Sequence, residues 1–161
     1  MKARGFTLIE LLVVIVVLGI LAAIIVPQAG SARVDARNGA RETDMRNVGK
    51  ALEMYNGDFG VYPISPGWSG DTPAYGGKGY EGPNAYIPNL SPTYMKVLPR
   101  DPNPSYPRGD YGYLYRTDST GMEFKFLAHR TPEAFSPDHP LHDPARPTWA
   151  WAIYSPGGRD Y

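Results

Sequence analysis

The strongest pattern in the chain is a run of apolar residues from Phe6 to Val26 that contains one charged side chain, Glu10. As a helix rising about 1.5 Å per residue, this run spans about 30 Å, the hydrocarbon thickness of a bilayer. Lys2 and Arg4 precede the run, and the next basic residue is Arg33. Because basic residues stay on the cytoplasmic side, the pattern predicts one membrane-spanning helix with a cytoplasmic N-terminus and a translocated remainder.

Glu10 is the residue that needs an explanation in this run. A carboxylate at the bilayer centre costs about 2.5 kcal/mol or several times more, so it requires a partner. A secretory signal peptide is one alternative, with Ala29 and Ala32 at a cleavage site, but its apolar region is usually shorter. A plain membrane anchor is a second alternative, and it gives Glu10 no role. An ionisable group in a membrane segment instead indicates a functional site.

The helical pattern continues beyond the apolar run to about Asn56. Apolar side chains recur at spacings of three and four and form one stripe that we expect to cover a sheet: Met45, Val48, Leu52, Tyr55 and Phe59. Pro27 lacks an amide hydrogen, so it should kink or locally break the helix at the membrane exit. Gly57, Gly60 and Pro63 are the predicted stop signals.

Three arginines, Arg33, Arg37 and Arg41, lie four residues apart on one face of this helix. Charge runs of this kind usually mark a solvated face, here partly balanced by neighbouring acidic residues. The alternative is contact with lipid headgroups or with an acidic neighbouring subunit, because Arg33 closely follows the membrane exit.

Alternating aromatic residues predict a small antiparallel sheet in the second half of the chain. Residues Tyr111–Arg116 and Met122–Ala128 form a hairpin, and Thr148–Tyr154 forms a third strand. Residues 64–110, rich in proline and glycine, are predicted to form a long loop before the hairpin. The predicted fold class is therefore α+β, a long N-terminal helix with its first half in the membrane, packed on three antiparallel strands.

Composition excludes several functions. The formal net charge of zero gives no basic surface for nucleic acid, and the lack of cysteine excludes a disulfide in the translocated domain. The sequence has no nucleophile-elbow motif, no phosphate-binding glycine loop and no convincing pair of acidic residues that would indicate an enzyme. His139 and His142 could bind a metal, but Pro140 opposes the regular backbone that would fix their geometry.

Residues 5–12, Gly-Phe-Thr-Leu-Ile-Glu-Leu-Leu, resemble the processing site of type IV pilins and type II secretion pseudopilins. In that family a short basic leader ends in glycine, a dedicated prepilin peptidase cuts after it, and the new N-terminal residue is N-methylated. The resemblance implies cleavage after Gly5 and methylation of Phe6. It also makes Phe6, Glu10 and Pro27 assembly residues, with Pro27 at the family's helix-kinking position.

Two further segments carry the resemblance along the chain. One is the pattern that closes the long helix in the family, matched by Tyr55, Asp58, Gly60, Tyr62 and Pro63. The other is Leu98-Pro-Arg-Asp-Pro102, which resembles the segment before the sheet in major pseudopilins, although the residues that follow depart from it. The implied divisions are a leader (1–5), a transmembrane and assembly helix (6–27), and a periplasmic or extracellular globular domain (28–161) that contains loop 64–110, in the family's ladle shape.

The resemblance implies a structural subunit of a type IV filament that polymerises through its N-terminal helix. The missing cysteines and the Leu98–Pro102 segment favour a type II secretion pseudopilin; the alternatives are a surface pilin for adhesion, motility or DNA uptake, and a membrane-anchored binding module. The implied partners are other pilin-like subunits, the prepilin peptidase, an inner-membrane assembly platform with its ATPase motor, and the lipid bilayer. The implied location is the bacterial inner membrane, then a periplasmic or cell-surface filament.

The resemblance also gives Glu10 a partner and raises the question of calcium. After cleavage, Phe6 carries a largely cationic α-amino group that can pair with Glu10 of a neighbouring subunit.

Major pseudopilins bind calcium through the loop before the sheet and an acidic C-terminal loop. Here Ser155 and Asp160 remain, but carboxylates are few for a cation that takes about six to eight oxygens. We therefore predict no cofactor and leave calcium as a hypothesis.

Overall fold

The computed structural model describes residues 6–161, apart from the side chains of residues 22–29, so the predicted leader and Gly5 lie outside the described residues. Its elements are helix α1 (Leu8–Phe59), strands β1 (Ser69–Gly70), β2 (Gly112–Thr117), β3 (Phe124–His129) and β4 (Ala150–Tyr154), and 3₁₀ turns at Pro73–Tyr75 and Pro156–Gly158. Contacts divide the chain into two units, Met1–Ala36 and Arg37–Tyr161.

In the first unit, the apolar side chains of α1 are exposed along residues 8–21. The helix continues through Pro27, so the expectation of a local break there is wrong, and the alternative of a kink stays a prediction. The Pro27 side chain is among those not described. A proline removes one backbone hydrogen bond, and the flanking residues can keep helical dihedral angles. Among the described residues, no helix combines the length and the hydropathy that crossing a membrane requires.

The end of α1 is set by Gly60, one of the predicted stop signals. The helix extends to Phe59 rather than Asn56, and Gly60 follows with a φ of 71°. The Gly60 N–H donates to the carbonyl of Asn56 at 2.7 Å. This left-handed glycine satisfies a carbonyl that the helix end would otherwise leave unpaired.

The sheet has four antiparallel strands in the order β1-β2-β3-β4, so the expected number of three is wrong. The three predicted strands are present as β2, β3 and β4. Strand β1 pairs Ser69 with Tyr115 and Gly70 with Leu114. A two-residue Ser-Gly strand has no alternation that a sequence pattern could reveal. Gly70 fits because a Cβ there would lie 2.4 Å from the Leu114 side chain.

The core of the second unit lies between α1 and one face of the sheet. The predicted stripe is confirmed for Met45, Val48 and Leu52, which are fully buried, whereas Phe59 is exposed. Their partners in this cluster include aromatic side chains of three strands: Tyr113, Tyr115, Phe126 and Trp151. The segment 64–110 is more than a connecting loop, because it also contributes Tyr86, Ile87, Leu90 and Leu98 to this core.

Arg41 corrects the expectation of a solvated arginine face. Its side chain is fully buried, and Nε and Nη2 donate to the two carboxylate oxygens of Asp101 at 2.8 and 2.9 Å. Nη1 donates to Asn38 at 2.8 Å and to Glu133 at 3.1 Å. Arg37 also pairs with Glu133. The β1–β2 connection and the β3–β4 connection are therefore both held to α1 by buried or half-buried charge pairs.

Replacing Asp101 tests this arrangement. Asp101→Asn keeps the side-chain shape but leaves the buried Arg41 charge without its bidentate partner, so we expect a loss of about 3 kcal/mol in the free energy of unfolding. The matched control is Asp35→Asn, which removes an exposed carboxylate from the same helix. Urea denaturation of both variants measures the difference, and equal stability of the two would contradict the assignment.

A second buried carboxylate, Asp71, lies where the chain leaves β1. It accepts hydrogen bonds from the Tyr113 N–H at 3.0 Å and from the Tyr80 hydroxyl at 3.3 Å. Burial raises the pKa of Asp71 from 3.8 to about 6, although both hydrogen bonds act in the opposite direction. The folded protein therefore retains a proton on Asp71 at a pH where the unfolded chain has released it.

This pKa shift predicts a stability that falls as the pH rises. The contribution of Asp71 to the free energy of unfolding should fall between about pH 4 and pH 6, because the folded state must ionise a buried group. Asp71→Asn removes that ionisation and keeps an oxygen acceptor, so its stability relative to wild type should increase over this interval and then level off. Thermal unfolding across the pH series measures the difference, and a pH-independent difference would refute the explanation.

Candidate assembly site at the start of the long helix

The first turn of α1 is closed by reciprocal hydrogen bonds between Thr7 and Glu10. The Thr7 N–H and hydroxyl both donate to Glu10 Oε2, at 2.8 and 2.6 Å, and the Glu10 N–H approaches the Thr7 hydroxyl oxygen at 3.4 Å. Thr7 precedes Leu8, the first helical residue, so this is a capping box. It satisfies backbone donors that every helix start leaves unpaired and fixes the direction of the carboxylate.

Apolar side chains surround this polar pair. Phe6 and Leu8 are 81% and 82% exposed. An open groove of about 410 Å³ is lined by Phe6, Ile9, Glu10, Val13 and Val14. Large exposed apolar surfaces of this kind mark sites of contact with a membrane or with another protein.

The charge of Glu10 is not balanced within the described part of the chain. Both groups that donate to it belong to Thr7, which is uncharged, and no salt bridge involving Glu10 occurs among residues 6–161. All of these bonds end on Oε2, so Oε1 has no donor among the described residues. A carboxylate offers about four acceptor positions. The geometry therefore allows Glu10 to keep its bond to Thr7 and to accept a cationic donor as well.

The sequence-derived site residues fall into three groups. Phe6 and Glu10 lie together at the helix start, Gly5 lies outside the described residues, and Pro27 lies farther along α1. Thr7 was not identified from the sequence. Its signal was available, because a threonine followed three residues later by glutamate at the start of an apolar helix is the capping-box spacing.

The other candidate residues take part in packing. The His139 Nε2 atom lies 2.9 Å from Glu42 Oε1. The His139 ring stacks on the Trp151 ring, with 4.1 Å between the ring centres. The described residues contain no cluster of three acidic, histidine or cysteine side chains that could hold a metal ion. The Ser155 hydroxyl accepts a hydrogen bond from the Phe124 N–H at 2.8 Å and thereby fixes the end of β4.

Comparison with known proteins agrees with the motif at the helix start. Residues 1–26 match the family described as the prokaryotic N-terminal methylation motif. The type II secretion system core protein G of Pseudomonas aeruginosa is 48% identical over 62 residues, which are 38% of this chain and 44% of that protein. The chain thus spans less than half of this relative in the match. No solved structure matches.

Two further relatives match over a larger part of their length. The type II secretion system core protein G of Vibrio cholerae is 34% identical over 119 residues, or 70% of this chain and 71% of that protein. The protein of the same name from Aeromonas hydrophila is 32% identical over 111 residues, or 63% and 68%. The methylation motif and these long matches confirm the resemblance derived from residues 5–12: the chain belongs to the pseudopilin family of the type II secretion system core protein G.

Proposed function

We propose that this pseudopilin is made as a precursor, cut after Gly5, methylated at Phe6, and assembled into a filament through the start of α1. The observation that carries the proposal is Glu10, a carboxylate with no cationic partner among the described residues on a helix surface that is otherwise apolar and exposed. Such a group is costly wherever the apolar surface is buried, unless burial brings a cation to it.

The cation in this proposal is the α-amino group of Phe6 from an adjacent subunit. An α-amino group has a pKa of about 7.7 to 8.0, so it is mostly charged at neutral pH. Glu10 Oε1 is free to accept it while Oε2 keeps the bonds from Thr7. A subunit in the wrong register would leave both charges buried and unpaired, so the pair selects the correct register of assembly.

The proposal also covers the location of the subunit before assembly and the partners that assemble it. The apolar run from Phe6 to Val26, with Lys2 and Arg4 before it, supports storage in the inner membrane with a cytoplasmic N-terminus. The filament would then form in the periplasm. The expected partners are other pilin-like subunits, the prepilin peptidase, and an assembly platform with its ATPase motor. The chain itself catalyses no reaction in this scheme.

Replacement of Glu10 tests the proposal. Glu10→Leu and the isosteric Glu10→Gln should be cleaved and inserted normally, yet filament incorporation should fall about a hundredfold, because the amine of each incoming subunit stays unpaired. Mass spectrometry of the N-terminal peptide in the filament and membrane fractions measures both processing and assembly. Glu81→Gln, at an exposed position of the second unit, is the matched control.

The same measurement separates the alternatives. Normal incorporation of Glu10→Leu would refute the role of this carboxylate. An intact Met1 in wild-type protein would favour the membrane-anchored binding module. Methylated Phe6 that is abundant in fibres sheared from the cell surface would favour a surface pilin over a periplasmic pseudopilus.

Thr7 supplies an independent prediction. Thr7→Val keeps the side-chain shape but removes the hydroxyl that donates to Glu10, so the carboxylate is held only by the backbone N–H of residue 7. We expect incorporation to fall about tenfold, the cost of one hydrogen bond to a charged group. Thr7→Ser retains the hydroxyl and should assemble like wild type. Equal incorporation of the valine and serine variants would show that the hydroxyl has no role.

A further inference from the structure

Four arginines form a continuous series with aromatic rings in the second unit. Arg116 lies on the face of β2 directed away from α1. Its guanidinium carbon, Cζ, is 4.9 Å from the ring centre of Tyr161 and 5.9 Å from that of Trp68, and the distances below are measured in the same way. Arg146 lies 5.2 Å from Trp68 and 5.8 Å from Trp149. Each ring that the arginines share therefore joins one guanidinium to the next.

The series continues beyond Trp149. Arg130 lies 5.2 Å from Trp149 and 6.0 Å from Tyr111. Arg108 lies 5.7 Å from Tyr111 and 5.7 Å from Tyr106. We call the side chains of Arg108, Arg130, Arg146 and Arg116, with the rings between them, the arginine strip. Cation–π contacts normally occur about once per 70–80 residues, so this density on one surface is unusual.

The two inner arginines of the strip have carboxylate partners and the two outer ones do not. Arg130 pairs with Asp110 at 3.1 Å, and Arg146 lies 3.3 Å from Asp143, which it shares with Lys125. Within residues 6–161, Arg108 and Arg116 have no ion pair, and the buried Nε of Arg116 has no hydrogen-bond acceptor.

Asp118 and Glu123, the acidic side chains that follow Arg116 between β2 and β3, already accept hydrogen bonds from backbone N–H groups. Asp118 accepts from the Glu123 N–H at 3.0 Å, and Glu123 accepts from the Gly157 N–H at 2.9 Å. The structure therefore holds two oriented but unneutralised guanidinium groups at the ends of the strip.

The chemistry of a stacked guanidinium indicates what these groups can bind. A guanidinium stacked on a ring can still offer its terminal N–H donors as a planar fork that matches a carboxylate. The rings of Trp68, Trp149 and Tyr111 are each covered by two guanidiniums. They offer little free face for the stacking that single-stranded nucleic acids require. Arginine, tryptophan and tyrosine are also the residues most enriched in protein-binding hot spots.

We propose that the arginine strip is a docking surface for an acidic segment of a polypeptide partner, with carboxylates of that segment bound by Arg108 and Arg116. The argument is charge complementarity: the exposed Arg108 and the half-buried Arg116 have no ion pair among residues 6–161, and an acidic segment supplies the missing counter-charges. This inference goes beyond filament assembly and does not rest on Glu10.

The test uses the full chain in non-ionic detergent and a fluorescent poly-L-glutamate peptide as the probe. Fluorescence anisotropy at low salt measures its dissociation constant, since screening weakens exposed charge pairs. Arg108→Gln/Arg116→Gln should raise this constant about tenfold relative to wild type. Arg33→Gln/Arg46→Gln removes the same charge from exposed arginines outside the strip and should change it less than about twofold.

A charge-preserving variant separates geometry from net charge. Arg108→Lys/Arg116→Lys keeps both charges but loses the planar fork, so binding should weaken to an intermediate value. Thermal unfolding verifies that each variant is folded.

Equal weakening by the two glutamine pairs, or no binding by wild type, would overturn the proposal. Stronger competition by heparin or oligothymidine than by unlabelled poly-L-glutamate would also overturn it, in favour of another polyanion. Filament yield of the strip variants should stay normal, which keeps this test distinct from that of Glu10.

Discussion

Glu10 carries a negative charge on a helix surface that otherwise consists of exposed apolar side chains, and this conflict is the constraint on which the account of the protein depends. The carboxylate is held by Thr7 through Oε2 and keeps Oε1 free of described donors. An apolar surface gains free energy when it is buried, but this burial would strand the charge. In the function that we propose, assembly is therefore favourable only in an arrangement that brings a cation to the free oxygen.

In the second unit, buried charges are paired with opposite charges of the same chain. Arg41 is buried against Asp101, and Lys125 is buried against Asp143, with its Nζ 2.7 Å from the carboxylate. These pairs connect α1 and the sheet to segments distant in sequence, in a domain that contains no cysteine. Glu10 has no salt bridge among residues 6–161, and the partner that we propose for it belongs to another subunit.

The sequence pattern was sufficient for the parts of the fold that have a period. The helix, the three longer strands and the buried stripe of Met45, Val48 and Leu52 follow from repeats that local geometry imposes. Residues 5–12 were recognised by their resemblance to a known family, and the family match over residues 1–26 agrees with that resemblance.

The features that were missed depend on contacts between residues far apart in sequence. Arg41 was assigned to a solvated face because its partner, Asp101, lies sixty positions away. Strand β1 was missed because two residues have no period, and the core role of Tyr86 and Leu90 was hidden in a segment rich in proline and glycine. Thr7 is different, because its capping-box spacing of three residues to Glu10 is local and can be read from the sequence alone.

The most direct measurement of the central claim is the contact between Glu10 and the Phe6 amine in assembled filaments. Filaments can be grown from a mixture of subunits, half with ¹⁵N-labelled phenylalanine and half with ¹³C-labelled glutamate, and studied by solid-state NMR. The account predicts magnetisation transfer between the Phe6 amine nitrogen and the Glu10 carboxylate carbon of different subunits, at a separation of about 4 Å or less. Well-ordered filaments without this intermolecular transfer would contradict the account.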